Sequence, residues 1–341
     1  HEPGQEAGDR MDAVIAWVDG SDPRHAAKRQ AAMAELGMAA GAGANFVAPT
    51  RFSDLGEIYV CIASILKYAP FIRRIHVLGD DQAPAAIGDF ARQGICAADR
   101  IRVVDHRELF RGYEDFLPTF SSRTLEALFW NIEGIGDEIL YFNDDFFLNA
   151  PVCRADFVDD EGRYLLEGRL RSVRATLWKH RLRDWAARLR GEDFPPVRFK
   201  TAQAVAAALL GRRHYLSLGH SPRPLRTRTL AEFFAARPEL LRAQLRHRFR
   251  SSEQFSPYAL SNEIELAEGR ARVVPVSPQV YLTPKTELTA EGLAALLADR
   301  TRRYGWVQSL DDFTPAARAL LRAQLADKLA GFLPAGLDLP G

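Results

Sequence analysis

The chain has 341 residues, 47% of them apolar and 26% charged, an ordinary globular composition that supports a sizeable core and excludes wholesale disorder. Its 45 basic and 44 acidic residues leave a net charge of +1, which excludes a polycation built for nucleic acid. No apolar run approaches the roughly 18–20 residues of a membrane span, and three cysteines far apart exclude a disulfide framework. The first ten residues, HEPGQEAGDR, lack the apolar stretch of a signal peptide and read as a tail or the remnant of an added segment. The expectation is a soluble, cytoplasmic protein.

In chain order, Ala13–Trp17 is a short apolar run that ends in the turn cluster Asp19-Gly20-Ser21-Asp22-Pro23, as a buried strand delivering a polar loop does. Pro23 opens a helix to about Leu36, and the Gly/Ala stretch from Gly37 to Ala44 reads as a loop. Ser53 or Asp54 caps a helix running to Tyr68, with Ile58, Ile62, Ile65 and Leu66 inward. Arg74–Leu78 is the second strand, Pro84–Gln93 a helix and Ile101–Val104 the third strand. Ser121 or Ser122 caps a helix to Ile132, and Glu138–Phe142 is a fourth strand ending in Asn143-Asp144-Asp145. Alternation of this kind predicts an α/β fold: a Rossmann-like, mainly parallel sheet flanked by helices, with ligands at the carboxyl ends of the strands. Neither GxGxxG nor a P-loop is present, so a dinucleotide or P-loop site is not supported.

The second half changes character. Between Arg163 and Arg250 there are 21 Lys/Arg against 6 Asp/Glu, so a basic half faces an acidic one. Arg163–Leu210 reads as an Arg-rich helical insertion anchored by Trp178 and Trp185, and His220–Pro224 as an extended loop. Leu230–Phe249 reads as helix broken at Pro238, Arg272–Val276 as a strand, and Leu288–Arg303 and Thr314–Phe332 as helices.

Several of these segments carry residue types suited to chemistry. Asn143, Asp144 and Asp145 put hard oxygen donors at a strand end, suited to Mg²⁺ or Mn²⁺, although the same pattern also makes an Asx-rich turn. Asp19, Gly20, Ser21 and Asp22 offer backbone N–H groups and short side chains to a phosphate or nucleotide, or form a plain strand-to-helix turn. Trp17 is either core or a cover for a base or sugar. His220 lies in a Gly-His-Ser-Pro loop, and Arg250 closes a basic run able to meet charge on a phosphate.

WVDGSDP (Trp17–Pro23), RFSDLGEIYVCIASILKYAPFIRRIHVLGDDQAP (Arg51–Pro84) and LPTFSSRTLEALFWNIEGIGDEILYFNDDFF (Leu117–Phe147) together resemble the first blocks of the Stealth family. That family contains bacterial capsular polysaccharide phosphotransferases and the animal N-acetylglucosamine-1-phosphotransferase. GHSPRPLR (Gly219–Arg226) and RHRFRSSEQFS (Arg246–Ser256) resemble its His-Pro and Arg-Phe-Arg segments. The chain departs from the family at Ser53 and Leu55, and its last block is visible only as Ser309-Leu310-Asp311-Asp312.

The resemblance implies a GT-A-like catalytic domain over 11–341: a nucleotide-sugar half (11–160), the helical insertion (161–215) and the rest of the core (216–341). It implies transfer of a sugar 1-phosphate, typically a hexosamine phosphate, from a UDP-sugar to a glycan hydroxyl, with UMP leaving. Asp144 and Asp145 match the family's acidic pair and would hold Mg²⁺ or Mn²⁺, while His220 and Arg250 match its essential histidine and arginine. Ser122 and Glu126 match polar positions of the third block, and Arg51, Asp54 and Glu57 those of the second. His220 is expected to be a general base, with a covalent phosphosugar intermediate as the competing role. The basic half would hold an anionic polymer or lie against anionic lipid at the inner face of the membrane. A homodimer is compatible with all of this, and no nucleic-acid module accompanies the charge. A glycosyltransferase releasing UDP and a catalytically silent glycan-binding module are the alternatives.

Overall fold

The computed structural model describes residues 10–37, 56–191 and 198–337. The chain begins with β1 (Met11–Ala16), whose apolar run is buried along nearly its whole length. Asp22 then caps α1 (Pro23–Glu35), accepting from Arg24 N with Pro23 in the first turn. The second helix, α2 (Glu57–Tyr68), leads through Ala69 into β2 (Ile72–Gly79). The expected caps Ser53 and Asp54 lie outside the described residues, and so do Arg51 and Leu55.

The helix expected over Pro84–Gln93 is a single turn, α3 (Asp89–Arg92), closed by Gly94 at φ +72°. β3 (Ile101–Asp105) runs into α4 (His106–Leu109). The helix expected to reach Ile132 is also shorter: α5 (Ser122–Glu126) stops, and a 3₁₀ turn follows at Phe129–Asn131. That break seats Phe129 edge-on against Tyr141, with ring centroids 4.9 Å apart. Ser121 occupies the N-cap, yet its hydroxyl donates to Gln254 Oε1 (2.9 Å) and does not cap the helix.

β4 (Glu138–Asn143) completes the parallel part of the sheet, and Asp144-Asp145 is the two-residue turn into β5 (Phe146–Leu148). Contrary to the helical expectation, residues 164–172 form a strand, β6 (Tyr164–Ser172). Tyr164, Leu166 and Gly168 alternate inward there, the period of a strand and not of a helix. The Arg-rich helices are α6 (Val173–Leu189) and α7 (Phe199–Leu209), followed by β7 (His214–Leu218). The expected loop at His220–Pro224 is a turn at its start only, because Arg223 begins β8 (Arg223–Arg226). After these come α8 (Thr227–Ala235), α9 (Pro238–Leu245), α10 (Pro257–Ala267), β9 (Ala271–Val274) and β10 (Gln279–Leu282). Last are α11 (Ala290–Ala298), β11 (Tyr304–Val307) and α12 (Pro315–Lys328).

The main sheet has the order β3-β2-β1-β4-β8, parallel throughout except for β8, which runs antiparallel to β4. Pro224 is tolerated because β8 is an edge strand. In register, Val14 lies beside His76 and Tyr141, and Tyr141 beside Arg223. Side chains alternate across the two faces: Ala13 and Ile15 pack with Ile58 and Ile62 of α2, and Val14 packs with Leu230 and Phe234 of α8. Covering both faces with helices explains why β1 reads as a continuous apolar run. The order reverses between β1 and β4, the switch point at which Rossmann-like α/β sheets open a crevice beyond their carboxyl ends. Two smaller sheets flank it, β10-β11-β5 and β7-β6-β9.

Candidate active site

Beyond the carboxyl end of β4 lies a cleft of about 810 Å³, in the range of small-molecule sites. Its floor is Ser122 and Glu126 from α5, Asn143 from β4, His220 from the β7–β8 turn, Arg223 from β8 and Arg250 from the α9–α10 loop. The rest of the wall is strongly cationic: Arg171 from β6, Lys179 and Arg183 from α6, Arg198 before α7 and Lys200 within it. Glu126 is the only carboxylate among the described lining residues. Part of the basic excess of the second half is thus turned into one cavity, where low-dielectric walls focus its field on an anion.

Five residues singled out in sequence meet here although 128 positions separate Ser122 from Arg250. A buried polar network does this. Gln254 accepts from Ser121 Oγ (2.9 Å) and donates to Thr124 Oγ1 (2.8 Å). Thr124 in turn donates to the carbonyl of His247 (2.9 Å), and Phe120 N to that of Arg248 (2.6 Å). Stitched to α5 in this way, the 246–256 segment aims Arg250, whose Nη2 donates to Ser122 Oγ at 2.8 Å.

His220 is held by rings. Its imidazole stacks on Trp306 of β11 at 4.1 Å and on Phe199 of α7 at 5.9 Å, with Phe146 edge-on at 6.4 Å. Trp306 stacks in turn on Tyr281 at 3.9 Å. Burial among these rings, together with the nearby Arg223 cation, lowers His220 to about 4, so the ring is neutral at physiological pH. Burial acts oppositely on Glu126, which is raised to about 7 against the pull of Arg223, Arg250 and Arg123. Tyr141 OH donates to its Oε1 at 3.1 Å, and Oε2 is buried without a hydrogen-bond partner among the described residues.

Arg223, within GHSPRPLR, is a cleft residue that the sequence pattern does not single out. It is 3% exposed, with its guanidinium 4.4 Å from the Tyr258 ring and 5.4 Å from those of Tyr141 and Phe146. Its Nε and Nη1 have no hydrogen-bond partner among the described residues, a costly state for a buried cation. Its field reaches Glu126, Asp145 and His220 alike. No local pattern marks such a residue; only its pairing opposite Tyr141 brings it to the site. Phe199 and Trp306 were missed for the same reason.

The acidic pair lies next to this cleft, not in its lining. Asp144 and Asp145 line a small neighbouring cavity with Glu57, Arg322 of α12 and the apolar side chains of Phe146, Leu310 and Leu321. Asp145 is raised to about 6 by burial, opposed by Arg223, and its Oδ1 is buried without a partner among the described residues. Among the described residues, no three His, Cys, Asp or Glu side chains gather as a metal cage. An orphaned carboxylate oxygen beside a second carboxylate nevertheless fits Mg²⁺ or Mn²⁺ in the mode where substrate phosphates and water complete the shell. The Ser309–Asp312 segment follows β11, and Val307 N donates to the carbonyl of Asp145 (3.2 Å), which brings that segment beside the pair.

The WVDGSDP loop leaves β1 at the switch point but lines neither cavity. Gln82 grips it, accepting from Asp19 N (3.0 Å) and donating to Asp19 O (2.9 Å) and Asp22 Oδ2 (3.2 Å). Asp19 Oδ1 accepts from Ser21 N (2.8 Å) across Gly20, and Asp22 caps α1. Trp17, 5% exposed, packs in the core. Asp54 and Arg51 lie outside the described residues. Cys61, Cys96 and Cys153 are all free thiols.

Residues 9–37 match the model of Stealth protein conserved region 1, and residues 51–165 that of conserved region 2. An exopolysaccharide phosphotransferase of Streptomyces coelicolor is 32% identical over 85% of this chain and 49% of its own length. A capsular polysaccharide phosphotransferase of Actinobacillus pleuropneumoniae is 34% identical over 45% of this chain and 39% of its own length. The chain therefore spans about half or less of the curated relatives it matches. Among solved structures, the galactosyltransferase LgtC in complex with donor and acceptor sugar analogs superposes with a TM-score of 0.41 at 14% identity, covering 94% of this chain and 96% of that one. Mouse xyloside xylosyltransferase 1 superposes with 0.41 at 11% identity, over 87% and 97%. The chain thus carries conserved regions 1 and 2 of the Stealth family in that order, the second of them contributing Ser122, Glu126 and Asn143 to the cleft.

Proposed function

We propose that the chain transfers a sugar 1-phosphate, a hexosamine phosphate by preference, from a UDP-sugar to a glycan hydroxyl, forming a phosphodiester and releasing UMP in cell-surface polysaccharide synthesis. The relatives' names, exopolysaccharide and capsular polysaccharide phosphotransferase, support the reaction class. The single observation that carries the reading is the meeting of a neutral, ring-clamped His220 with Arg250 and Arg223 in one anion-attracting cleft.

In this reading Arg250, oriented by Ser122, and Arg223 hold the phosphoryl oxygens, where charge spreads in an in-line transfer. His220 takes the proton of the attacking hydroxyl. A bound diphosphate brings negative charge to the imidazole and offsets the Arg223 field, moving its pKa from about 4 back toward neutrality when the base is needed. Asp144 and Asp145 would hold Mg²⁺ or Mn²⁺, which supplies charge neutralisation to the diphosphate. The wall of Arg171, Lys179, Arg183, Arg198 and Lys200 supports an acceptor that is itself anionic.

The test is product analysis with UDP-N-acetylglucosamine, Mg²⁺ and a panel of glycan acceptors. UMP with a phosphodiester in the product is expected. UDP with a plain glycosidic product would replace the reaction with ordinary glycosyl transfer. Exchange of labelled UMP into donor without acceptor would replace the base with a covalent phosphosugar-histidine.

A further inference from the structure

Helix α6 carries two cationic faces with different surroundings. Val173 and Ala187 are buried against the body, and Thr176, Lys179, His180 and Arg183 line the cleft. At 100° per residue, Trp178, Leu182, Trp185 and Leu189 fall within one narrow stripe on the side away from the buried face. They are 60%, 44%, 63% and 68% exposed, so this apolar stripe faces solvent. Arg174, Arg181 and Arg188 form a row along one edge of it, exposed and in no ion pair with another described residue. From Arg169 to Arg190 there are eight Lys/Arg and one acid, Asp184, which pairs with His180 at 3.1 Å.

We propose that this face of α6 docks the protein on an anionic lipid bilayer, with the helix in the plane of the interface. Two exposed tryptophans and two leucines beside an arginine row have the composition of an interfacial helix: ring bodies enter the headgroup region while guanidinium groups meet lipid phosphates. The charge argues against a second copy as occupant. The stripe has heptad-like spacing, so self-pairing would set the row of Arg174, Arg181 and Arg188 against the Lys179 flank, like charge against like charge. Two heptads with tryptophan in the seam also fall short of the three or four a stable coiled coil needs. Because the cleft opens along the next flank of the same helix, docking would hold its cationic wall near the membrane surface.

The test is co-sedimentation with extruded vesicles of phosphatidylcholine alone or with about 30% phosphatidylglycerol, with tryptophan emission read in parallel. The expected result is binding to the anionic vesicles with a blue shift. Arg174→Gln/Arg181→Gln/Arg188→Gln should weaken binding about 100-fold, taking roughly one kcal/mol per basic residue at the surface. Trp178→Ser/Trp185→Ser should abolish the blue shift; both tryptophans are exposed, and an unchanged circular dichroism spectrum confirms folding. No binding to anionic vesicles overturns the proposal, and so does binding that survives in both variants. A concentration-dependent dimer dissolved by Trp178→Ser/Trp185→Ser would assign the stripe to a second copy instead. None of these results depends on which bond the cleft makes or breaks.

Discussion

Replacing Glu126 with Gln should stabilise the protein, and by an amount that depends on pH. Glu126 is 5% exposed, with one carboxyl oxygen bonded to Tyr141 and the other unpartnered among the described residues. Burial raises it from 4.5 to about 7 even with three arginines nearby. Below pH 4.5 the carboxyl is protonated in both folded and unfolded chains and costs nothing. As pH rises toward 7 the unfolded chain releases its proton freely and the folded one does not, so stability is lost across that window. Above pH 7 the loss is complete, about 3 kcal/mol at roughly 1.4 kcal/mol per pH unit. Glu126→Gln keeps the shape and an acceptor for Tyr141 and removes this loss. Urea denaturation of both proteins from pH 4.5 to 8.5 should show the variant gaining on the wild type by about 3 kcal/mol and then levelling off. A difference that stays flat within about 0.5 kcal/mol would refute the reasoning, since it would mean that Glu126 is already ionised and satisfied.

His220→Ala should slow turnover by about 10²–10⁴-fold if the imidazole is the base, with near-full turnover sinking that role. Trp306→Ala removes the ring 4.1 Å from the imidazole; water then reaches His220, its pKa in the free enzyme climbs toward 6.5, and the acid limb of the kcat/KM profile shifts upward while Trp306→Phe restores it. An unshifted profile would mean the clamp does not set the pKa. Arg250→Lys should lower kcat about 10²–10³-fold, because an ammonium cannot both bond Ser122 and present a fork to phosphate; wild-type kcat in this variant would remove Arg250 from the transition state. The wild type should show a Mg²⁺-dependent rise in Tm with UDP, and Asp145→Asn should lose it; a rise in the variant equal to wild type would remove Asp145 as a cation ligand.

The sequence by itself determined the parallel sheet, the strand ends that carry polar loops and the Stealth motifs, and it singled out His220, Arg250, Ser122 and Glu126, which the fold gathers in one cleft. Those features are local: an apolar run bounded by a turn, or a motif contiguous in the chain. Its errors were local too. Gly94 and the seating of Phe129 cut two helices short, and the alternation in residues 164–172 was read through its arginines and missed as a strand. Tertiary structure alone decided how the charges are distributed. Arg223 becomes a site residue because β8 pairs antiparallel to β4, and Trp306 because β11 pairs with β5 just beyond the acidic turn. The same structure sorts the basic half into a cleft wall and an outward row on α6. Burial then inverts ordinary ionisation, leaving His220 neutral and Glu126 poised near 7. Pairing register and desolvation depend on contacts between residues far apart in the chain, and composition carries no record of either.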